Sequence, residues 1–322
     1  MEKLSEAIAH RLRIESSLIR EVMAELIGIS ANIQTATIVA IATQNNATQT
    51  TITQLHSSSH LGNQLGWGFG LALGVYLALQ ISGAHLNPAI SFAQLLRGAI
   101  SPLRFLLYIP AQLIGAFLGA ALAFLGHFED CSLIRSQRGD QELASQFATY
   151  PRDGLSIYGS ILDQLFGTAL LAAGLWAITD KRNRVPSGFI PLLAGLILTM
   201  ISLTFGLNGG FAINPARDLG PRLFMLSIGL GWGMFSNNNF YFWIPLAVPF
   251  VGALIGAFVY NLLIGVHGLD EQIEISGANY PRENDRGYKV FPEEFVFVIL
   301  VNTTQTLPPW VSPATWSLTA AQ

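Results

Sequence analysis

The sequence predicts an all-α membrane protein with six transmembrane helices and two re-entrant half-helices, which together form an inverted repeat. Charged residues make up 11% of the chain and apolar residues 51%, whereas a soluble domain carries about 25% charged residues. Six apolar stretches are long enough to cross a bilayer core of about 30 Å. In addition, residues 82–90 and 209–218 both place glycine, apolar residues and then Asn-Pro-Ala within an apolar region.

The composition also limits the function classes. The net charge is −3 and no basic stripe is present, so nothing indicates nucleic-acid binding. The one cysteine, Cys131, excludes an intrachain disulfide. The histidines are scattered, and the sequence has no Ser/His/Asp set, metal-ligand cluster or nucleotide-binding loop, so we expect neither an enzyme nor a cofactor. The N-terminus lacks the pattern of a signal peptide, and the first span is expected to insert the chain.

The first predicted span, residues 21–42, is more polar than lipid favours. Its polar side chains include Asn32, Gln34, Thr35 and Thr37. Polar residues within a membrane usually face protein or water, so we expect this side of the helix to point towards neighbouring helices.

Residues 43–63 contain no Lys, Arg, Asp or Glu and are rich in Thr, Gln, Asn and Ser, which predicts an exposed loop. In this loop Asn46 begins an Asn-Ala-Thr pattern, which is an acceptor sequence for N-glycosylation. A long loop is also predicted after the third span, up to Tyr158, and a Gly/Asn-rich loop before the sixth. The remaining spans are predicted at residues 65–81, 103–124, 161–179, 188–206 and 241–264.

Each Asn-Pro-Ala predicts the start of a half-helix. Proline is tolerated in the first turn of a helix, so Asn87 and Asn214 are expected to cap helices that begin at Pro88 and Pro215. Residues 88–97 would extend about 15 Å, which is half of the bilayer core. If the two half-helices enter from opposite faces, their positive ends meet near the midplane and repel cations, while the asparagine amides can bind a neutral polar solute.

The two halves of the chain repeat. Residues 112–120 in the third span are similar to residues 249–257 in the sixth, and both contain a Gly-x-x-x-Gly spacing that lets helices approach closely. Because each half has three spans, an odd number, the copies are predicted to lie inverted in the membrane.

The distribution of basic residues predicts the orientation. With the N-terminus inside, twelve of the seventeen Lys and Arg residues are cytoplasmic, and both chain ends are predicted on that side. The five on the opposite side are Arg135, Arg138, Arg152, Arg217 and Arg222.

Residues 82–88 and 208–222 carry a resemblance to a known family: the chain resembles an aquaglyceroporin, the glycerol-conducting branch of the aquaporins, over roughly residues 18–266. In that branch an aspartate follows the arginine of the second motif, and Asp218 occupies this position. Pro245 and Leu246 also match the glycerol branch.

The resemblance implies the site residues. It places a selectivity constriction on the extracellular side, with two aromatic walls, a small residue and a guanidinium: Trp67, Phe211, Ser202 and Arg217. The motif residues of the pore are Asn87, Pro88, Ala89, Asn214, Pro215 and Ala216. The aromatic rings would face the carbons of a polyol and the guanidinium its hydroxyls. Alone, Arg217 also fits an arginine that reaches the membrane surface, and Trp67 an interfacial anchor.

A ladder of backbone carbonyls is expected along the pore, from Gly83, Ala84, His85, Leu86, Gly210, Phe211 and Ala212. The side chain of His85 is expected to fix the loop, and the alternative is a pH-dependent gate. Glu25 resembles the buried carboxylate that supports the first loop in this family, and Gln164, beside Asp163, is its counterpart in the second half.

The resemblance implies a passive channel for glycerol and water, and for urea or other small neutral solutes, that excludes ions and protons. Alternatives are a water-selective pore, a coupled secondary transporter and a non-conducting scaffold. We expect a cytoplasmic segment over residues 1–19, a channel domain over 20–266 and a flexible cytoplasmic tail over 267–322. The resemblance also implies a homotetramer in a lipid bilayer, and we expect the plasma membrane.

Overall fold

The structure, a computed structural model, describes residues 14–49 and 55–268, and the regular elements of this part are all helical. Six long helices and two half-helices are present, as the sequence predicts. In chain order the α-helices are α1 (Ser17–Gln49), α2 (Leu55–Ser82), α3 (Pro88–Leu96), α4 (Pro102–Gly126), α5 (Phe128–Arg138), α6 (Asp140–Ser145), α7 (Ile157–Thr179), α8 (Ile190–Gly209), α9 (Pro215–Ser227), α10 (Gly233–Phe240) and α11 (Trp243–Tyr260).

Five helices of the described part are long and apolar enough to cross a membrane, over residues 60–82, 102–126, 157–179, 187–209 and 243–265. Helix α1 is not among them. It packs against α2 and α4 and buries the polar side chains of Glu25, Asn32 and Thr37 among them. The polar face of the first span therefore points towards neighbouring helices, as predicted.

The two halves pack in matching ways. Helix α4 lies against α1, and α11 lies against α7. A methyl group added at Gly119 of α4 would be 2.5 Å from the Ser30 carbonyl oxygen, and one at Gly256 of α11 would be 2.0 Å from that of Ala169. Each half-helix packs against the last span of the other half, α9 against α4 and α3 against α11. This crossed packing joins the two repeats into one bundle and brings the half-helices together.

Three loop predictions were wrong. Helix α1 continues to Gln49 and α2 begins at Leu55, so most of residues 43–63 are helical. The loop predicted before Tyr158 contains α5 and α6, and the loop before the sixth span contains α10, which is interrupted at Asn237. These segments are too polar or too short to show an apolar helical pattern. Residues 1–13, residues 269–322 and the side chain of Asn46 lie outside the described residues.

Candidate functional site

The two Asn-Pro-Ala motifs meet inside the bundle. The side-chain oxygen of Asn87 accepts a hydrogen bond from the Ala89 amide (2.9 Å), and that of Asn214 accepts from the Ala216 amide (3.0 Å). Both asparagines therefore cap the half-helices that begin at Pro88 and Pro215, and they are buried. The capping oxygen is used in this way because the first amides of a helix have no partner within it.

Each asparagine amide also crosses to the other loop. Nδ2 of Asn87 donates to the Ile213 carbonyl (2.9 Å), and Nδ2 of Asn214 donates to the Leu86 carbonyl (2.7 Å). The residue before each asparagine thus accepts a hydrogen bond from the asparagine of the opposite motif. These reciprocal bonds hold the N-terminal ends of α3 and α9 against each other.

The loops before the half-helices have the same unusual backbone. Ala84 and Leu86 have φ values of 52° and 50°, and Phe211 and Ile213 have values of 41° and 40°. Positive φ is uncommon for residues with a side chain and persists only where the surroundings enforce it. The positive φ values occur at corresponding positions in the two repeats. Each loop therefore requires support from neighbouring helices to hold this backbone conformation.

Glu25 of α1 supplies that support to the first loop. Its carboxylate accepts hydrogen bonds from the amides of His85 (2.8 Å) and Leu86 (2.6 Å). It also accepts from the Ser82 hydroxyl (2.6 Å) and the Gln112 side-chain amide (2.7 Å). The carboxylate is fully buried, so these four donors compensate its loss of water.

Gln164 of α7 occupies the equivalent place in the second half. Its side-chain oxygen accepts a hydrogen bond from the Ile213 amide (2.8 Å), and its amide group donates to the Asp163 carboxylate (3.1 Å). Tyr241 donates to the Gly209 carbonyl nearby (2.9 Å). The neutral side chain of Gln164 therefore accepts a hydrogen bond from one amide of the second loop, whereas the Glu25 carboxylate accepts from two amides of the first.

Three of the four residues expected at the constriction lie together. The guanidinium carbon of Arg217 is 3.9 Å from the Trp67 ring centre and 5.7 Å from that of Phe211. The two rings meet edge to face with centres 5.6 Å apart. Nη1 of Arg217 donates to the Phe147 carbonyl (3.1 Å), while its buried Nε has no hydrogen-bond partner in the described part of the chain.

Ser202 is placed differently. It is fully buried, its hydroxyl donates to the Thr199 carbonyl (2.8 Å), and it is not among the residues that line the cavity described next.

One cavity is lined by residues of the constriction and by the paired asparagines. Its apolar wall includes Leu71, Val75, Leu171, Leu175 and Leu198. Its polar side chains are Asn32, His85, Asn87, Asn214 and Arg217, and the loop residues Ala84, Leu86, Phe211 and Ala212 also line it. Gly83 and Gly210 do not, and both have positive φ where the loops begin. The cavity is thus apolar on most sides with a few polar groups, mainly from the two loops.

His85 contributes to both the cavity and the loop. Its Nδ1 lies 3.1 Å from the Ser91 hydroxyl, and its ring packs edge to face on Tyr108 with centres 5.4 Å apart. Ser91 in turn accepts from Gln112, which also donates to Glu25. The ring is therefore tied into the network that fixes the first loop.

Asp218 does not line the cavity. Its carboxylate accepts hydrogen bonds from the amide (2.8 Å) and hydroxyl (2.6 Å) of Thr149 and forms a buried ion pair with Arg222 (2.6 Å). The Arg222 guanidinium also donates to the carbonyls of Thr149 and Met234. Sequence reasoning did not identify Phe147, Thr149 or Arg222 as part of the site, because each is distant in the chain from at least one partner.

Comparison with known proteins agrees with this geometry. A model of the major intrinsic protein family matches residues 12–260. The chain is 33% identical to aquaporin-9 of Mus musculus over 291 residues, which cover 88% of this chain and 95% of that protein. It is 35% identical to aquaporin-10 of Homo sapiens over 268 residues, covering 82% and 86% of the two chains.

A solved structure has the same fold. The X-ray structure of the aquaglyceroporin from Plasmodium falciparum superposes with a TM-score of 0.68 at 27% sequence identity. The match covers 77% of this chain and 98% of that one.

Proposed function

The chain belongs to the major intrinsic protein family, and from that membership we propose that it is a passive membrane channel for glycerol and water. Urea and other small neutral solutes of similar width are expected to pass as well, and ions and protons are excluded. The protein is a channel and not an enzyme. The observation that carries the proposal is one cavity lined by both motif asparagines, Asn87 and Asn214, and by Trp67, Phe211 and Arg217.

The constriction suits a polyol because its walls differ. Glycerol has a face of C–H groups and a face of hydroxyls. The rings of Trp67 and Phe211 match the first, and the Arg217 guanidinium, which belongs to a cavity-lining residue, donates to the second. A pore for water alone needs no apolar wall of this size.

The paired half-helices explain the exclusion of cations. The N-terminal ends of α3 and α9 meet at Asn87 and Asn214, and each end carries roughly half a positive charge. A cation or proton would lose hydration there and meet repulsion, whereas a neutral solute can accept hydrogen bonds from the amides. The free carbonyls of the two loops are proposed as acceptors for the solute's hydroxyls; the Leu86 carbonyl already accepts from Asn214.

The remaining predicted site residues are proposed to position the two loops and the constriction. Glu25 and Gln164 support the two loops, and Asp218 fixes the chain segment that holds Arg217. Ser202 is proposed to leave space behind the constriction, because it is small and buried.

The setting is proposed on two grounds. From the family resemblance we propose a homotetramer in the plasma membrane. Both chain ends are proposed to lie in the cytoplasm, because basic residues are concentrated on that side. Residues 20–266 form the channel, residues 1–19 and 267–322 are cytoplasmic, and Asn46 is a glycosylation site on the outer side.

Stopped-flow light scattering of proteoliposomes tests the function. A channel gives glycerol entry that rises linearly with the glycerol gradient and is unchanged by sodium. Saturation with proton or sodium dependence would instead indicate a coupled transporter. Water flux without glycerol flux would indicate a water-selective pore, and no flux a scaffold.

A further inference from the structure

One polar group in the cavity comes from neither motif. Of the polar side chains that line it, His85, Asn87, Asn214 and Arg217 belong to the loops and half-helices, whereas Asn32 belongs to α1. The sequence predicts only that this polar span faces protein. The structure places Asn32 among the residues that line the cavity.

The packing of α1 on α2 fixes the height of Asn32. A methyl group added at Gly70 would lie 3.2 Å from Oδ1 of Asn32, so the two residues are level. Trp67 lies three residues from Gly70 on α2, about 4.5 Å along the axis. One helical turn nearer to the paired asparagines, Gly28 of α1 packs against Gly74 of α2 and the side chain of Leu86, which precedes Asn87. Asn32 therefore lies between the constriction and the paired asparagines.

The Asn32 oxygen has no protein partner. The residue is 4% exposed, and its Oδ1 is buried without a hydrogen bond in the described part of the chain. An unpaired buried amide oxygen is costly, and native proteins rarely leave one unsatisfied. In this structure Oδ1 lies on the Gly70 side of the amide. Because Asn32 also lines the cavity, a half-turn of the amide about the Cβ–Cγ bond presents the oxygen to a molecule there.

The surrounding wall explains why the acceptor matters. Leu71, Val75 and Leu198 line the same cavity and offer no hydrogen bonds. A solute that fills this section loses water on the apolar side and can recover a hydrogen bond only from a polar wall residue. Water is less dependent on the wall, since neighbouring waters in single file supply part of its hydrogen bonding.

We propose that Asn32 is a solute-binding residue, whose Oδ1 accepts a hydrogen bond from a hydroxyl of a polyol between the constriction and the asparagine pair. The inference rests on the proposed function and extends it. With donors and acceptors on the loop side and Asn32 on the α1 side, the pore favours solutes with hydroxyls on more than one edge, such as glycerol and erythritol.

The test is the ratio of glycerol to water permeability in the same proteoliposomes. Asn32→Leu keeps the size of the side chain and removes the acceptor, so the ratio should fall about fivefold, which corresponds to one neutral hydrogen bond. Gln34→Leu is the matched control, because Gln34 lies on the same helix and does not line the cavity. Its ratio should equal that of the wild type.

A second pair of variants covers the case in which Asn32→Leu does not fold. Asn32→Ser and Asn32→Ala differ by one hydroxyl, and the serine variant should have the higher glycerol-to-water and erythritol-to-water ratios. If the wild type conducts glycerol, two results overturn the inference and leave the proposed function standing. One is equal solute-to-water ratios in the serine and alanine variants, and the other is an unchanged glycerol-to-water ratio in a folded Asn32→Leu channel. Absence of wild-type glycerol flux overturns the proposed function and the inference with it.

Discussion

Asp218 and Arg222 form an ion pair in which both side chains are buried, with Oδ2 and Nε 2.6 Å apart. The same carboxylate binds Thr149, and the Arg222 guanidinium binds the Thr149 carbonyl. Two residues earlier in the chain, the Phe147 carbonyl accepts a hydrogen bond from Arg217. The ion pair therefore positions the segment against which the constriction arginine rests, although neither charge faces the cavity.

Replacing Arg222 should destabilise the protein strongly. Arg222→Ala leaves the Asp218 carboxylate buried without its charged partner, which costs about 3–5 kcal/mol. We expect a clear fall in the thermal unfolding temperature of the purified channel, measured in detergent. Arg135→Ala is the control: its ion pair with Asp140 is exposed and should contribute less than about 1 kcal/mol. Equal stability of the two variants would contradict the role assigned to the buried pair.

Glu25→Gln should impair folding of the first loop. Glutamine has one acceptor oxygen in place of two, and its amide group would face other donors at Leu86 and Gln112. Because hydrogen bonds to a charged group contribute about 1.5–3 kcal/mol each, we expect a lower yield of folded protein and a lower unfolding temperature. Glu21→Gln serves for comparison, since its partner Arg104 is partly exposed. A Glu25 variant as stable as that comparison would show that the loop does not depend on the carboxylate.

The constriction should set the preference for polyols. Trp67→His combined with Ser202→His replaces the large apolar wall and fills the space behind it. We expect glycerol flux to fall about tenfold, as for other losses of apolar contact in a binding pocket, and water flux to fall less. The measurement is the permeability of the two solutes in the same vesicles. Equal losses would mean that these positions do not discriminate between solutes.

Cys131 should be unreactive in the folded protein. It is fully buried and unpaired in α5, and burial, assisted by the nearby Asp130, raises the pKa of its thiol to about 12. With that pKa, only about one thiol in ten thousand is ionised at pH 8, and the thiolate is the reactive form. Iodoacetamide at pH 8 should therefore label the protein only after denaturation, as detected by mass spectrometry. Rapid labelling of the native channel would contradict this environment.

The sequence was sufficient for the architecture because its signals are local. Apolar runs located the third to sixth spans within a few residues, and Asn-Pro located the starts of α3 and α9. The helices α5 and α10 were missed because α5 is short and charged and α10 is rich in asparagine. Neither produces the apolar periodicity that identifies a helix.

The site was predicted in part for the same reason. Trp67, Phe211 and Arg217 could be named from their spacing to the motifs and from family resemblance, and they lie together in the structure. The contacts of Thr149 with Arg222 and the exposure of Asn32 to the cavity depend on how distant segments pack. No local pattern encodes those relationships.

The central claim is that two opposed half-helices frame one passage for neutral solutes. Its most direct test measures glycerol entry and internal pH together, in proteoliposomes that contain a pH-sensitive dye. The account predicts rapid glycerol entry with no protein-dependent change in internal pH, whether or not a pH gradient is imposed. Glycerol entry that carries protons in a fixed ratio, or stops when the pH gradient is collapsed, would contradict it.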